Sequence, residues 1–316
     1  MRNPMKGLLA ASVTLALLTA PPAFAQNPAT EAPASVEALD PVKAPPPLTD
    51  VDPALWVVKD ADTTIYLFGT VHILKPGLGW FDDGIKEAFD KSDRLILELV
   101  EPPAAEAQAL FGKLAIDQQG KTLRSKLSDD DRAIYETAMS KIGLPAAALD
   151  PFDPWAGAIT LSLLAIQKSG FDANSGVEKQ LSAAAKIGNK PIEGLETMEF
   201  QLGLFDTLPE SEQIKFLIET AKLIDDAGST MDKMVAYWAA PDPAGLGQLM
   251  NEGLTSRMLY DALLTKRNAN WAKWISIQME KPGVSFIAVG AGHLAGPTSV
   301  QMLLPAYGLT ASRVAY

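Results

Sequence analysis

The sequence predicts an α/β fold: a single domain with a mixed central sheet and a large helical insertion in the middle. Three observations predict it. Apolar runs rich in β-favouring residues fall at 55–59, 64–69 and 94–100, and another falls at 285–289, near the other end. The long stretch between them carries mostly the apolar periodicity of helices. The chain has only two histidines, and each follows one of these runs in the same pattern, Gly69-Thr70-Val71-His72 and Gly290-Ala291-Gly292-His293. For the two to share a site, the two ends of the chain must meet in one sheet.

Taken in order, residues 1–25 read as a secretory signal. Arg2 and Lys6 precede an apolar run at 7–20, and Ala23-Phe24-Ala25 supplies a small-x-small cleavage pattern with Gln26 as the new terminus. No cysteine follows the run, which excludes a bacterial lipid anchor, and no later stretch is long and apolar enough to span a bilayer. The expected location is therefore a bacterial periplasm or the exterior. Residues 26–53 read as an extended tether, with Pro28, Pro33, Pro41, Pro45, Pro46, Pro47 and Pro53 among Ala, Glu and Asp.

The folded domain is expected over 54–316, with order beginning near Ala54. Strands at 55–59 and 64–69 pair across the turn Asp60-Ala61-Asp62. A helix over 82–91 places Ile85, Ala88 and Phe89 on one face. The run at 94–100 is almost wholly apolar, as a strand covered on both sides should be. A helix starts after Ser128, and Asp129, Asp130 and Asp131 fill its first turn, where the dipole favours acids; a capped helix start explains them better than a metal site. A buried helix follows at 155–168, another at 177–186, and a short strand at 190–193. Helices are expected at 210–227, 231–239, 243–251 and 255–278. The chain closes with a strand at 285–289, a helix at 298–304 and an edge strand near 313–316.

Composition narrows the function. The net charge of −11 repels phosphate backbones and argues against nucleic-acid binding. With no cysteine, an exported chain holds itself together by packing alone, and thiolate nucleophiles and thiolate metal ligands are excluded. There is no His-Glu-x-x-His, no Walker loop and no Gly-x-Ser-x-Gly elbow. The glycines at 290, 292 and 296 fail as a dinucleotide loop, because too little chain remains for a full βαβ unit.

The paired Gly-x-x-His motifs carry the chemistry. Ligands of open α/β sheets gather at the carboxyl ends of strands. A residue just past a strand end is held by the sheet yet faces the crevice, and the glycines permit a sharp turn or close approach. Imidazole is the commonest metal-binding side chain, but two are too few for a firm site, so a carboxylate should join them. Glu98 is the best placed, near the carboxyl end of an apolar strand where an unpaired carboxylate is costly. Glu101, Glu193 and Glu196 are further candidates, and Glu178 has a helix start as its simpler explanation. Arg267, next to Asn268 and ahead of Trp271, suits a clamp on a substrate carboxylate or on a neighbouring acid. Two histidines further than roughly 8 Å apart cannot share an ion held by bonds of about 2 Å.

Together these residues resemble the TraB/PrgY/GumN family, whose animal relatives include the Tiki membrane-associated proteases. The matching segments are Tyr66-Leu67-Phe68-Gly69-Thr70-Val71-His72, Leu95-Ile96-Leu97-Glu98-Leu99, Gly194-Leu195-Glu196-Thr197-Met198-Glu199-Phe200-Gln201, Arg267-Asn268-Ala269-Asn270-Trp271 and Ala288-Val289-Gly290-Ala291-Gly292-His293-Leu294, with Trp80 also fitting. The resemblance implies a fold similar to erythromycin-esterase-like and ChaN-like proteins. It also implies a metal-dependent hydrolase, of peptidase type in the Tiki branch, acting on a peptide or small-molecule substrate. His72, His293 and Glu98 would then hold a divalent ion, whether zinc, manganese or cobalt. Glu98, Glu196 and Arg267 would form the catalytic set, Glu98 as ligand or general base. No apolar anchor follows the domain, so membrane-tethered action is not expected. The alternative expectation is a non-catalytic haem- or ligand-binding protein, or an envelope polysaccharide-associated one, on the same scaffold.

Overall fold

The computed structural model describes residues 48–253 and 256–316. The expected signal at 1–25, most of the expected tether and the expected helix start at Thr255 lie outside the described residues.

Strand β1 (Thr49–Asp50) already lies ahead of Ala54. β2 (Leu55–Lys59) and β3 (Thr63–Thr70) form the expected hairpin. Asp60 closes its turn, accepting at Oδ1 from the backbone amides of Asp62 (3.2 Å) and Thr63 (2.8 Å). β4 (Leu78–Gly79) runs parallel to β1 as a separate ribbon. Helix α1 (Asp83–Lys91) buries Ile85, Ala88 and Phe89, and β5 (Arg94–Leu99) follows it.

The insertion is helical, as its periodicity predicts. α2 (Ala104–Ala115), α3 (Asp129–Ile142), α4 (Pro154–Lys168) and α5 (Val177–Ile187) precede β6 (Ile192–Glu196). α6 (Met198–Asp206), α7 (Glu210–Lys222), α8 (Ala227–Ala239), α9 (Pro243–Gly253), α10 (Arg257–Tyr260) and α11 (Lys266–Gln278) follow it. β7 (Gly283–Gly290), α12 (Val300–Leu303) and β8 (Ser312–Arg313) complete the chain.

Several boundaries differ from the expectation, for physical reasons. The short middle strand begins at Ile192 because the Lys190 amide closes α5 on the Ala185 carbonyl (2.8 Å). α8 starts four positions before Met231, at Ala227, and Gly228 in its first turn packs so closely that a Cβ there would lie 2.4 Å from Ser169 Oγ. The helix expected over 255–278 is broken by a π turn at Asp261–Thr265, which ends two positions before Arg267. Helices α2 and α6 carried no expectation. Ser128 caps α3 as predicted, its hydroxyl accepting from the Asp131 amide (3.2 Å).

The main sheet is mixed, with the order β6-β5-β7-β3-β2-β8. β6, β5, β7 and β3 run parallel to one another, while β2 is antiparallel to both β3 and β8. β7 therefore sits between β3 and β5, filling the centre of the strand–helix–strand unit visible in the sequence. This insertion brings β3 and β7 together from near opposite ends of the described residues. Side chains alternate across the sheet. Leu95, Leu97, Phe68, Phe286 and Ala288 join the large core under the helical insertion. Ile96, Ile65, Leu67, Ile287 and Val289 join a smaller core capped by Trp271 and Ile275 of α11.

Candidate functional site

The same alternation places the central carboxylate. Ile96 faces the smaller core, so Glu98, two residues on, points to the same face and is only 4% exposed. α11 covers that face, and Arg267 in its first turn is 1% exposed. A guanidinium therefore meets a carboxylate in a water-poor space. Arg267 Nη2 donates to Glu98 Oε1 and, at 2.6 Å, to Glu196 Oε2, while Nε reaches both Glu196 oxygens at 3.0 Å. Nη1 donates to the Leu263 carbonyl of the π turn (3.0 Å) and contacts His293 Nε2 (3.2 Å). Trp271 backs this group, 4.9 Å from the Arg267 guanidinium and 4.3 Å from the His293 ring. Gln201 joins the two acids, its Nε2 donating to Glu98 Oε1 and Glu196 Oε2, both at 2.9 Å.

The strand register brings the histidines together. Thr70 at the end of β3 pairs with Gly290 at the end of β7, so both Gly-x-x-His turns leave the sheet side by side. Both glycines are needed for close approach. A Cβ on Gly69 would lie 3.0 Å from Ala291 Cα. A Cβ on Gly290 would stand 3.3 Å from His72 Nε2, 3.4 Å from Glu98 Oε2 and 3.6 Å from His293 Cδ2. Any pair of these atoms is thus separated by at most twice the largest of those distances, within the limit for sharing an ion set out above. The backbone amide of Gly290 also donates to Glu98 Oε2 (3.1 Å).

Each imidazole is anchored through Nδ1. His293 Nδ1 lies 2.6 Å from Asn268 Oδ1, and Asn268 Nδ2 donates to the Thr298 carbonyl (2.8 Å), which fixes the amide's orientation. An amide oxygen only accepts, so Nδ1 carries the proton and Nε2 keeps its lone pair. His72 Nδ1 pairs with Glu178 Oε1 at 2.5 Å. Burial, followed by the Arg267 charge, pushes the His293 ring down to about 3, so it is neutral at neutral pH. Burial acts to raise the Glu98 carboxyl, but Arg267, with both imidazoles, overrides it and holds the group at about 2.

A cleft of about 480 Å³ opens onto this cluster. His72, Glu98, Glu178 and Gln201 line one part of it; Leu99, Val100, Pro102, Pro103 and Ile192 supply apolar wall, and Lys179, Ser182 and Lys186 come from α5. His293 is fully buried, and Glu196, paired to Arg267 and Gln201, is not among the cleft-lining residues. All five residues singled out in the sequence therefore gather in one place, with His72 and Glu98 reaching the cleft. The remaining glutamates separate. Glu101 pairs with Lys179 at the cleft wall, and Glu193 pairs with Arg94 at 3.3 Å on the surface. Glu178, the candidate whose simpler explanation was a helix start, takes part in the cluster, as do Gln201 and Asn268, to which sequence reasoning assigned no role there. Gln201 and Asn268 sat inside the motif segments, which was the available signal; Glu178 had none beyond its place in a helix's first turn.

Among the described residues, no three His, Asp or Glu side chains form a ready-made three-donor set for a metal ion. Arg267 Nη1 also stands 3.2 Å from His293 Nε2, on the nitrogen that a metal would need.

Known proteins are similar to this chain in sequence. It is 26% identical over 265 residues to an uncharacterized protein of Treponema pallidum (strain Nichols), covering 78% of each chain. It is 23% identical over 252 residues to the uncharacterized protein YbaP of Escherichia coli (strain K12), covering 80% of this chain and 92% of that one. No solved structure matches it significantly. The TraB/PrgY/gumN family matches over residues 54–313, a span that includes every strand of the main sheet and every residue of the cluster, and the chain belongs to that family.

Proposed function

We propose that this protein is an exported metal-dependent hydrolase of peptidase type, acting on a peptide or small molecule held in the cleft. The observation that carries the reading is the convergence of His72 Nε2, Glu98 Oε2 and the His293 ring around Gly290, at the carboxyl ends of adjacent parallel strands. The donor chemistry supports a divalent ion. Metal-binding imidazoles have their other nitrogen held by a carboxylate or carbonyl, as His72 and His293 do. Glu98 and Glu196 face the single guanidinium of Arg267 while Glu178 faces His72, so the cluster holds three carboxylates against one arginine, a formal excess of two negative charges when both rings are neutral. A divalent cation would balance it.

His72, His293 and Glu98 would hold the ion, whether zinc, manganese or cobalt, and His293 would exchange its Arg267 contact to do so. When bound, such an ion polarises a carbonyl and makes water nucleophilic near neutral pH. The chain's own groups do the rest. Arg267 and Gln201 keep Glu98 ionised and aimed. Glu196 orients Arg267 through paired contacts to Nε and Nη2. The apolar wall excludes water and grips the non-reacting part of the substrate. Export rests on the leader read at residues 1–25.

The test is expression with the native leader, cell fractionation and elemental analysis of the exported protein. The expected result is a chain beginning at Gln26, about one equivalent of zinc, manganese or cobalt, and peptide-library hydrolysis that His72→Ala abolishes. Wild type that holds no metal and gains no thermal stability from Zn²⁺, Mn²⁺ or Co²⁺ sinks the reading.

A further inference from the structure

We infer that Glu178 is a positioning residue for His72: with Thr70, it holds the ring in the Nδ1–H form and leaves the Nε2 lone pair facing the site. The inference rests on the functional reading above and deepens it. The sequence explains Glu178 as an acid in a helix's first turn, and it occupies that place in α5. Its side chain, however, turns to the first Gly-x-x-His motif. One oxygen, Oε1, meets His72 Nδ1 at 2.5 Å and accepts from Thr70 Oγ1. The contact is a close approach rather than an aligned hydrogen bond, but an ionised carboxylate offers only lone pairs, so it can stand this near Nδ1 only when that nitrogen carries the proton.

The backbone builds this pairing deliberately. The Val177 amide donates to the Val71 carbonyl (3.1 Å), tying the start of α5 to the residue before His72. Leu74 and Asp172 exchange backbone hydrogen bonds at 3.3 and 2.9 Å. Between these two ties, Gly176 approaches so closely that a Cβ would lie 2.2 Å from the His72 carbonyl oxygen. Segment 172–178 is therefore clamped along segment 71–74. Glu178 arrives beside His72 because the chain was bent there without a side chain in the way. The arrangement mirrors His293, whose Nδ1 is held by Asn268. Two ring anchors of different chemistry, one charged and one neutral, then present two Nε2 atoms to the neighbourhood of Gly290.

The chain's two histidines make this directly measurable. Nitrogen-15 histidine labelling gives two ring spin systems, and the spectra report which nitrogen of each carries the proton. The measurement is made at a pH of about 8, above the ordinary imidazole range. In wild type both rings are expected as Nδ1–H. In Glu178→Ala, His72 should shift to the Nε2–H form that free imidazole favours, while His293 stays unmoved as the internal control. A His72 ring that remains Nδ1–H in that variant overturns the inference. Glu178→Gln keeps the shape and an accepting oxygen, and guards against a variant that fails to fold. There the tautomer should persist while the Nδ1 proton moves upfield, because its acceptor has lost its charge; an unmoved proton overturns the inference equally. A Zn²⁺ titration adds a second readout, with Glu178→Ala expected to weaken binding roughly 10–100-fold. Wild type that binds no Zn²⁺ counts against the metal reading, and the nitrogen spectra still decide the role of Glu178.

Discussion

Gly290→Ala separates the site's function from its fold. The glycine has φ −46 and ψ 131, a conformation open to any residue, so the substitution carries no backbone strain. The new methyl would stand 3.3 Å from His72 Nε2, 3.4 Å from Glu98 Oε2 and 3.6 Å from His293 Cδ2. Only the first contact is clearly tight, and a shift of a few tenths of an ångström relieves it. Reduced freedom of the unfolded chain contributes about 0.4–1 kcal/mol in favour of alanine. Mild overpacking costs on the order of 1 kcal/mol. Stability should therefore change by no more than about 1 kcal/mol in either direction. The methyl nevertheless claims the point toward which the three functional groups turn, and displacement of such groups by a fraction of an ångström to an ångström costs about 100-fold in rate. The assay pairs thermal melting with a Zn²⁺, Mn²⁺ and Co²⁺ titration and peptide hydrolysis. A folded variant with wild-type metal affinity and turnover would refute the reasoning. So would a drop in melting temperature on the order of 10 °C, which would make Gly290 a packing residue.

Arg267→Met should cost about 3–5 kcal/mol, because it leaves Glu98 and Glu196 buried without their cation. Adding Glu98→Gln to that variant should restore stability, whereas Glu98→Gln alone should lower it; the same sign in both backgrounds in urea unfolding would reject the charge-compensation account. Gly176→Ala drives a methyl against the His72 carbonyl, so it should destabilise the protein by about 3 kcal/mol and disturb His72 signals more than His293 signals. Acid sensitivity should arise away from the site as well as at the depressed carboxyl of Glu98. Lys126, 4% exposed in its side chain, pairs with Asp117 at 2.6 Å and Asp153 at 2.5 Å. Its hydrogen bond is the main cause that lowers Asp117 from 3.8 to about 2. A depressed carboxyl contributes stability that is present above 3.8 and lost as pH falls through about 2. Lys126→Met should thus be destabilised at neutral pH, with its deficit shrinking between these values; a constant deficit in pH-dependent unfolding contradicts this.

Much of the site was legible because local pattern encodes burial. The run Leu95-Ile96-Leu97-Glu98-Leu99 announced a strand covered on both faces, and β5 buries all of these residues. A carboxylate inside such a run needs a partner wherever it points, which is why Glu98 ranked first. Its partner was harder to read. Arg267 precedes Trp271 by one helical turn, which hinted at burial, but surface and buried arginines look alike in sequence. Glu178 stood last among the candidate carboxylates. Helix starts favour acids for reasons of their own, and that sufficient explanation concealed a second use of the same carboxylate.

The sequence by itself determined the class of fold, the strand ends that carry both histidines, the absence of cysteine thiolates, and the family. These follow from periodicity, composition and short motifs, all of them local properties. Only the tertiary structure decided that β7 enters between β3 and β5, that Arg267 closes on Glu98 across a separation of 169 residues, and that Glu178 rather than a strand-end glutamate faces His72. Such pairings depend on which surfaces pack against each other, and packing between distant segments leaves no periodic trace in the chain.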